Sequence, residues 1–110
     1  QRDLYDRHRH ARPDVFDVLL WNTRGQLTEF TRGNLVVELD GVRVTPPVSC
    51  GLLAGTFRQQ LLDEGAIVEG VIECDDLDRV TRLWFINSLR GWIEVANADT
   101  RADPRQNRYQ

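Results

Sequence analysis

The Asp40-Gly41 pair constrains the fold of this chain more than any other local feature. It lies between two apolar, β-branched runs at residues 35–39 and 42–44. Asp followed by Gly favours the left-handed backbone that a two-residue hairpin turn needs at both central positions. The sequence therefore predicts an antiparallel hairpin. A Thr-Pro-Pro run at 45–47 should end it, because proline cannot donate to a strand ladder.

Strands and helices are predicted on both sides of this hairpin. Apolar runs predict strands at 15–21, 26–29, 67–73, 83–86 and 92–95, and periodic or polar stretches predict helices at 4–12, 52–64 and 75–78. In the 52–64 helix we expect one apolar side made of Leu53, Phe57, Leu61 and Leu62. Gly65 fits a C-terminal cap of that helix, and Asp75 fits an N-cap of the next one.

The order of these elements predicts a mixed α/β (α+β) fold in which helices cover one side of a sheet. At 110 residues the chain is one domain or part of one. The stretch from Ala98 onward is polar and has no apolar pattern, so residues 98–110 are expected to be a disordered tail.

Composition and charge argue against several classes of function. A net charge of −3 gives no electrostatic reason to bind nucleic acid or an anionic membrane. No apolar run approaches the roughly 20 residues that cross a bilayer, and the start of the chain has no signal-peptide core. We therefore expect a cytoplasmic protein with reduced Cys50 and Cys74. His8 and His10 do not match the ligand spacing of a zinc finger with those cysteines, so no metal site is predicted.

Polar residues at three predicted turns are the candidates for chemistry. Glu29 ends a strand, and by itself would be solvated or cap a turn. Gly55-Thr56 stands in the first turn of the predicted helix, where backbone N–H groups and the helix dipole favour an anion. Gly55 alone would equally suit close packing. Asn87-Ser88 follows a buried strand, and in isolation it is only a strand-to-strand turn.

Together these turns resemble the C-terminal half of the class IV (fold type IV) pyridoxal-phosphate enzymes. That family contains branched-chain aminotransferases, D-amino acid aminotransferases and aminodeoxychorismate lyases. The matching stretches are TEFTRGNL at 28–35, GLLAGTFR at 51–58 and INSLRGW at 86–92. The resemblance covers about residues 4–95. It implies that residues 1–97 are the C-terminal domain of the D-amino acid aminotransferase-like fold, with a mixed sheet that curls toward a barrel.

The resemblance also implies a role for each candidate residue toward pyridoxal 5'-phosphate. Glu29 would hydrogen-bond the pyridine nitrogen and keep it protonated, which glutamine would not do. Gly55, Thr56 and Ser88 would hold the phosphate, with Asn87 beside the cofactor and substrate. Thr56 stands one place earlier than the threonine usual in the family, so its backbone role is the firmer one.

Arg90 follows the third of these turns. A planar guanidinium can bind a substrate carboxylate with two parallel hydrogen bonds. Arg90 would therefore contact the substrate, although an arginine at the rim with no ligand fits the sequence equally well.

The chain departs from the family in having no lysine, because all fourteen basic residues are arginine. The family uses a lysine to form a Schiff base with the cofactor and to shuttle the proton. We expect that lysine just before residue 1, in a longer gene product whose N-terminal half supplies another phosphate-binding arginine. No catalytic residue is then predicted within this chain, which by itself should be inactive.

The resemblance is greatest to aminodeoxychorismate lyase domains fused to aminodeoxychorismate synthase component I. The Asn87-Ser88-Leu89 run is similar to that of aminodeoxychorismate lyases, and residues 1–5 and the strand around Asp17 fit the fused subgroup. It implies elimination of pyruvate from 4-amino-4-deoxychorismate to give 4-aminobenzoate for folate synthesis. It further implies a small-molecule substrate, a homodimer and partnership with component I. The alternatives are a branched-chain or D-amino acid aminotransferase, a non-catalytic fragment, or an unrelated α+β binding module.

Overall fold

The computed structural model describes residues 17–95 and the backbone of residues 100–102, and its strands form one mixed sheet. The strands are β1 (Leu19–Trp21), β2 (Leu27–Phe30), β3 (Asn34–Leu39), β4 (Val42–Thr45), β5 (Val68–Glu69), β6 (Arg82–Asn87), β7 (Gly91–Glu94) and β8 (Thr100–Ala102). The order is β5-β4-β3-β2-β1-β8, and β6 pairs with both β3 and β7. The sheet is not closed. The prediction of a mixed α/β fold is confirmed.

The predicted hairpin is the turn between β3 and β4. Leu39 and Val42 face each other across it. Asp40 has φ 51° and Gly41 has φ 80°, so both turn residues adopt the left-handed backbone that the sequence predicts. Most other predicted strands are confirmed with ends that shift by a residue or so.

The two faces of the sheet bury different apolar clusters, because alternate residues of β3 and β6 point to opposite sides. One cluster contains Leu19, Leu27, Phe30, Leu35, Val37, Ile72, Leu83 and Phe85. The other contains Val36, Leu61, Ile67, Trp84 and Ile86, with Phe57 and Leu62 packed against it. Its Leu61 comes from the helix α1 (Thr56–Asp63), which therefore covers this second face.

Helix α1 begins later than the sequence predicts. Residues 52–55 are not helical, and Gly55 is an extended N-cap with φ −66° and ψ 156°. Leu53 is 74% exposed, so its predicted place on the apolar side of the helix is wrong. Side chains of β2 and β3 hydrogen-bond this segment, as described below. The C-terminal end agrees with the prediction, because Gly65 follows the helix with φ +76°.

The predicted strand at 67–73 is much shorter in the structure. Only Val68–Glu69 pairs with β4, and Glu73 makes an isolated bridge with Gln26. The helix predicted at 75–78 is a 3₁₀ helix over Cys74–Arg79, and Glu73 rather than Asp75 is its N-cap. Another 3₁₀ turn spans Val48–Cys50. Glu73 and Asp76 form a capping box at the start of the Cys74–Arg79 helix, in which Asp76 Oδ2 accepts the Glu73 N–H at 2.9 Å.

Two predictions concern the ends of the chain. The helix predicted at 4–12 lies outside the described residues, as do residues 15 and 16 of the first strand. Thr100–Ala102 pairs in parallel with β1, so the expected disorder of 98–110 does not hold for these three residues. Pairing with the edge of β1 uses backbone N–H and carbonyl groups and does not require apolar side chains. The polar composition of this stretch therefore gave no sign of a strand.

No helix within the described parts of the chain is long and apolar enough to cross a membrane. Cys50 and Cys74 are both free thiols.

Candidate functional site

Three turns of the fold surround one cavity of about 370 Å³. They are the β2–β3 turn, the segment that enters α1, and the β6–β7 turn. The cavity is lined by Glu29, Thr31, Arg32, Gly33, Asn34, Leu53, Gly55, Thr56, Phe57, Arg58, Asn87 and Ser88. The structure thus brings together Glu29, Gly55, Thr56, Asn87 and Ser88, five of the six residues singled out in the sequence. Arg90 does not line the cavity.

Glu29 supplies the acid of the cavity from strand β2. Its side chain is 5% exposed, and its Oε1 accepts a hydrogen bond of 3.3 Å from the Leu53 N–H. Asn34 lies directly opposite Glu29 in the β2–β3 ladder. The sheet therefore fixes where this carboxylate stands relative to the loop that enters α1.

The N-terminus of α1 faces the cavity, which Gly55 and Thr56 both line. Among residues 17–95, no side chain caps this helix end, because its N-cap is Gly55. The first N–H groups of a helix have no intrahelical acceptor and favour a negatively charged group. The hydroxyl oxygens of Thr56 and Ser88 lie 2.5 Å apart beside this end and share a hydrogen bond.

Asn87 connects two rims of the cavity. Its Nδ2 donates to the Arg32 carbonyl at 3.1 Å, and its Oδ1 accepts from the Arg90 N–H at 2.7 Å. These bonds tie the β6–β7 turn to the β2–β3 turn. The structure therefore places Asn87 as a support of the cavity wall and holds Arg90 through its backbone.

The sequence interpretation missed Asp17, which anchors the β2–β3 turn. Its carboxylate accepts the N–H groups of Thr31 at 3.0 Å and Arg32 at 2.7 Å, together with the Thr31 hydroxyl. In the same turn, a Cβ on Gly33 would stand 2.6 Å from the Phe85 ring. The sequence did carry a signal for this role, because Asp17 is a charged residue inside an apolar run. A carboxylate buried in such a run needs hydrogen-bond donors from other parts of the chain.

Arg58 is a buried charge in the cavity wall that the sequence interpretation also left without a role. The residue is 1% exposed. Its Nη2 donates to the Pro46 carbonyl at 3.0 Å and to the Glu69 carboxylate at 2.5 Å. Its Nε has no hydrogen-bond partner in the described part of the chain. Arg58 thereby ties the first turn of α1 to the end of β4 and to β5.

The cavity fits a small ligand that carries a basic nitrogen and an anionic group. A buried carboxylate stands on one wall, and an uncapped helix end with two hydroxyls stands on another. A volume of about 370 Å³ is within the range of small-molecule sites. The residues present therefore fit pyridoxal 5'-phosphate. Across residues 17–95, no group of three or more His, Cys, Asp or Glu side chains could hold a metal ion.

Comparisons with known proteins agree with this geometry. The family model of class IV amino-transferases matches residues 3–98. A protein of Schizosaccharomyces pombe (strain 972) named as a candidate aminodeoxychorismate lyase is 39% identical over 77 residues, which are 67% of this chain and 33% of that protein.

Solved structures show the same fold. A candidate amino-acid aminotransferase from Mesorhizobium loti superposes with TM-score 0.67 at 38% identity, over 94% of this chain and 49% of that one. The 4-amino-4-deoxychorismate lyase from Pseudomonas aeruginosa superposes with TM-score 0.65 at 26% identity, over 77% of this chain and 33% of that one. The chain thus spans between a third and a half of the length of these relatives.

Proposed function

Because the chain belongs to the class IV aminotransferase family, an enzyme family, we propose that its cavity binds pyridoxal 5'-phosphate. Glu29 would face the ring nitrogen, and the N-terminus of α1 would face the phosphate. The observation that carries this proposal is that a buried acid and an uncapped helix end line the same cavity.

The proposed role of Glu29 is to hold a proton on the ring nitrogen. When bound, the cofactor provides an electron sink for the pair left when a bond to the substrate α-carbon breaks. An ionised carboxylate can keep a pyridine nitrogen protonated, whereas a neutral amide cannot hold that charge. Because Leu53 donates its N–H to the Oε1 of Glu29, the carboxylate is already oriented in the cavity wall.

The proposed roles of Thr56 and Ser88 concern the phosphate. A hydroxyl can donate one hydrogen bond and accept two, so two adjacent hydroxyls can contact each other and also a phosphate oxygen. Their position beside the first turn of α1 adds backbone N–H donors. Gly55 contributes by having no side chain at this point.

For the whole protein we propose 4-amino-4-deoxychorismate lyase activity, with release of pyruvate and 4-aminobenzoate for folate synthesis. The names of the S. pombe and P. aeruginosa relatives support this reaction. The sequence given contains no lysine, so we assign the covalent lysine to a part of the protein outside it. A homodimer, association with aminodeoxychorismate synthase component I and a cytoplasmic location are proposed on the same basis.

An aminotransferase is the second candidate, which the similarity to the M. loti protein favours. The full-length protein separates the two. Formation of pyruvate and 4-aminobenzoate without an amino acceptor would support the lyase. A strict requirement for 2-oxoglutarate would reject it in favour of the aminotransferase.

Cofactor binding itself is testable on the 110-residue chain. We expect pyridoxal 5'-phosphate to bind about tenfold more tightly than pyridoxal in equilibrium dialysis, which corresponds to about 1.4 kcal/mol from the phosphate. Glu29→Gln should weaken both ligands by a similar factor and leave the ratio between them unchanged. A folded chain that binds neither ligand, or that binds both equally, would contradict the proposal.

A further inference from the structure

The side chain of Asn34 connects the two functional walls of the cavity. It projects from β3, directly opposite Glu29, and hydrogen-bonds the segment that enters α1. We propose that Asn34 is a positioning residue that sets the distance between the Glu29 carboxylate and the N-terminus of α1. Its role toward the cofactor rests on the proposed function, whereas its role in the protein without cofactor does not.

The first step of the argument is the hydrogen bonding. Asn34 Nδ2 donates to the Leu53 carbonyl at 2.9 Å, and Asn34 Oδ1 accepts from the Gly55 N–H at 3.2 Å. Glu29 accepts from the N–H of the same Leu53. Glu29 and Asn34 face each other in the β2–β3 ladder, and together they bind the N–H and the carbonyl of Leu53. Asn34 also binds the N–H of Gly55, the N-cap of α1.

The second step concerns the amide group itself. Asn34 is almost fully buried, and it uses both a donor and an acceptor. Aspartate would keep the acceptor for Gly55 but would turn an oxygen toward the Leu53 carbonyl. It would also place a second carboxylate opposite Glu29, where like charges repel. A neutral side chain with one donor and one acceptor is therefore needed at this position.

The third step explains why residue 55 is glycine. Its φ of −66° and ψ of 156° are accessible to any residue, so the backbone does not require glycine. A Cβ at this position would lie 2.6 Å from Asn34 Oδ1, and the next nearest heavy atom to it is Asn34 Cγ at 3.8 Å. Alanine at 55 would therefore have to displace the Asn34 side chain, which is the only group that crowds this position among the described residues.

A double-mutant cycle on the 110-residue chain without cofactor tests this coupling. Gly55→Ala should destabilise the chain to urea and accelerate hydrogen exchange at the Leu53 N–H, because it displaces the Asn34 amide. In an Asn34→Ala background the same change should have a smaller effect, because no oxygen remains near the new Cβ and only the cost of alanine at the N-cap is left. An equal effect of Gly55→Ala in both backgrounds would overturn the inference.

The ratio of pyridoxal to pyridoxal 5'-phosphate dissociation constants tests the role toward the cofactor. This readout is insensitive to a loss of folded protein, because unfolding lowers the apparent affinity of both ligands equally. We expect Asn34→Ala and Gly55→Ala to reduce the ratio from about tenfold toward one, whereas Glu29→Gln leaves it unchanged. A ratio that is unchanged in both Asn34→Ala and Gly55→Ala would refute the positioning role.

The two proposals fail differently. If the wild-type chain binds neither ligand, the cofactor proposal fails, and the role of Asn34 toward the cofactor fails with it. The stability cycle still decides whether Asn34 and Gly55 are coupled. If the wild type shows the tenfold ratio and the variants keep it, only the inference about Asn34 fails.

Discussion

The hydroxyl oxygens of Thr56 and Ser88 share a hydrogen bond of 2.5 Å, although the two residues are 32 positions apart in the chain. This contact joins the first residue of α1 to the β6–β7 turn. Both residues are exposed and line the cavity, so their remaining hydrogen-bonding capacity is open to a ligand there. The pair therefore links α1 to the β6–β7 turn, and we propose that it also contacts the phosphate.

Thr56→Val should lower the affinity for pyridoxal 5'-phosphate more than the affinity for pyridoxal. Valine keeps the shape of threonine and removes the hydroxyl, so the loss is confined to hydrogen bonds near the phosphate. We expect a loss of roughly 1 kcal/mol, about fivefold in the dissociation constant. Thr56→Ser, which keeps a hydroxyl, is the matched control and should bind almost as the wild type. Equal losses for both ligands would contradict this assignment.

Glu69→Ala should destabilise the chain more than is usual for a substitution at a half-exposed side chain. The Glu69 side chain is 47% exposed, but its partner Arg58 is buried and would keep its charge without a counterion. We expect a loss of roughly 1–3 kcal/mol in the free energy of unfolding, below the value for a fully buried pair because Glu69 is partly solvated. Urea denaturation measures this difference.

Glu94→Ala is the matched control for Glu69→Ala. Glu94 accepts two hydrogen bonds from Arg82, and this bonding lowers the pKa of the Glu94 carboxyl. Both members of this pair are solvated, so its removal should change stability very little. Similar effects of the two substitutions would show that burial of Arg58 is not the decisive factor.

Stability should fall as the pH rises through the range in which thiols ionise. Burial raises the pKa of the Cys50 thiol, with a smaller increase from Glu73 opposed by Arg24, and burial also raises the pKa of Cys74. The unfolded chain therefore ionises first. The stabilising contribution is complete below the ordinary thiol pKa of about 8.5 and is lost as the pH rises through the raised values.

Urea denaturation of the wild type and of a Cys50→Ala/Cys74→Ala variant between pH 7 and pH 10 measures this effect. The variant should lose less stability over that range than the wild type. At pH 8, alkylation of the folded chain should be slower at buried Cys50 than at partly exposed Cys74. Parallel pH profiles of the two proteins would contradict the prediction.

Gly33→Ala should destabilise the chain for a different reason than Gly55→Ala. The new Cβ would meet Phe85 ring atoms at 2.6 and 2.7 Å and the Ile86 carbonyl oxygen at 2.8 Å. A packed ring and a strand backbone cannot move aside as the end of an amide side chain can. We expect a loss of about 1–3 kcal/mol in urea denaturation. In an Asn34→Ala background, Gly33→Ala should cause the same loss of stability. A smaller loss in that background would show that contact with Phe85 and Ile86 is not the cause.

The sequence predicts best those features that depend on neighbours along the chain. The Asp40-Gly41 turn follows from the conformational preferences of its own two residues. Leu53 shows the opposite case. Its spacing favours a helix, but Glu29 and Asn34 bind its backbone from strands more than eighteen positions earlier, and Leu53 lies outside the helix.

The cavity was predictable only in part, for the same reason. Glu29, Gly55, Thr56 and Ser88 were found through a family pattern, and their roles stay predictions. Asp17, Asn34 and Arg58 act through partners that no local pattern identifies. Arg58 did carry a signal, because its spacing of three and four residues from Leu61 and Leu62 places a charge on the apolar side of the helix.

The rims of the cavity attach to the rest of the fold chiefly through main-chain atoms. The Leu53 carbonyl and the Arg32 carbonyl are the acceptors for Asn34 and Asn87, while the side chains of Leu53 and Arg32 point largely into solvent. Substitution at positions 32 and 53 therefore leaves these main-chain hydrogen bonds in place, although replacing Arg32 removes its ion pair of 3.7 Å with Asp17. Random mutagenesis aimed at this pair of positions offers a route to new substrate preference with the underlying framework preserved.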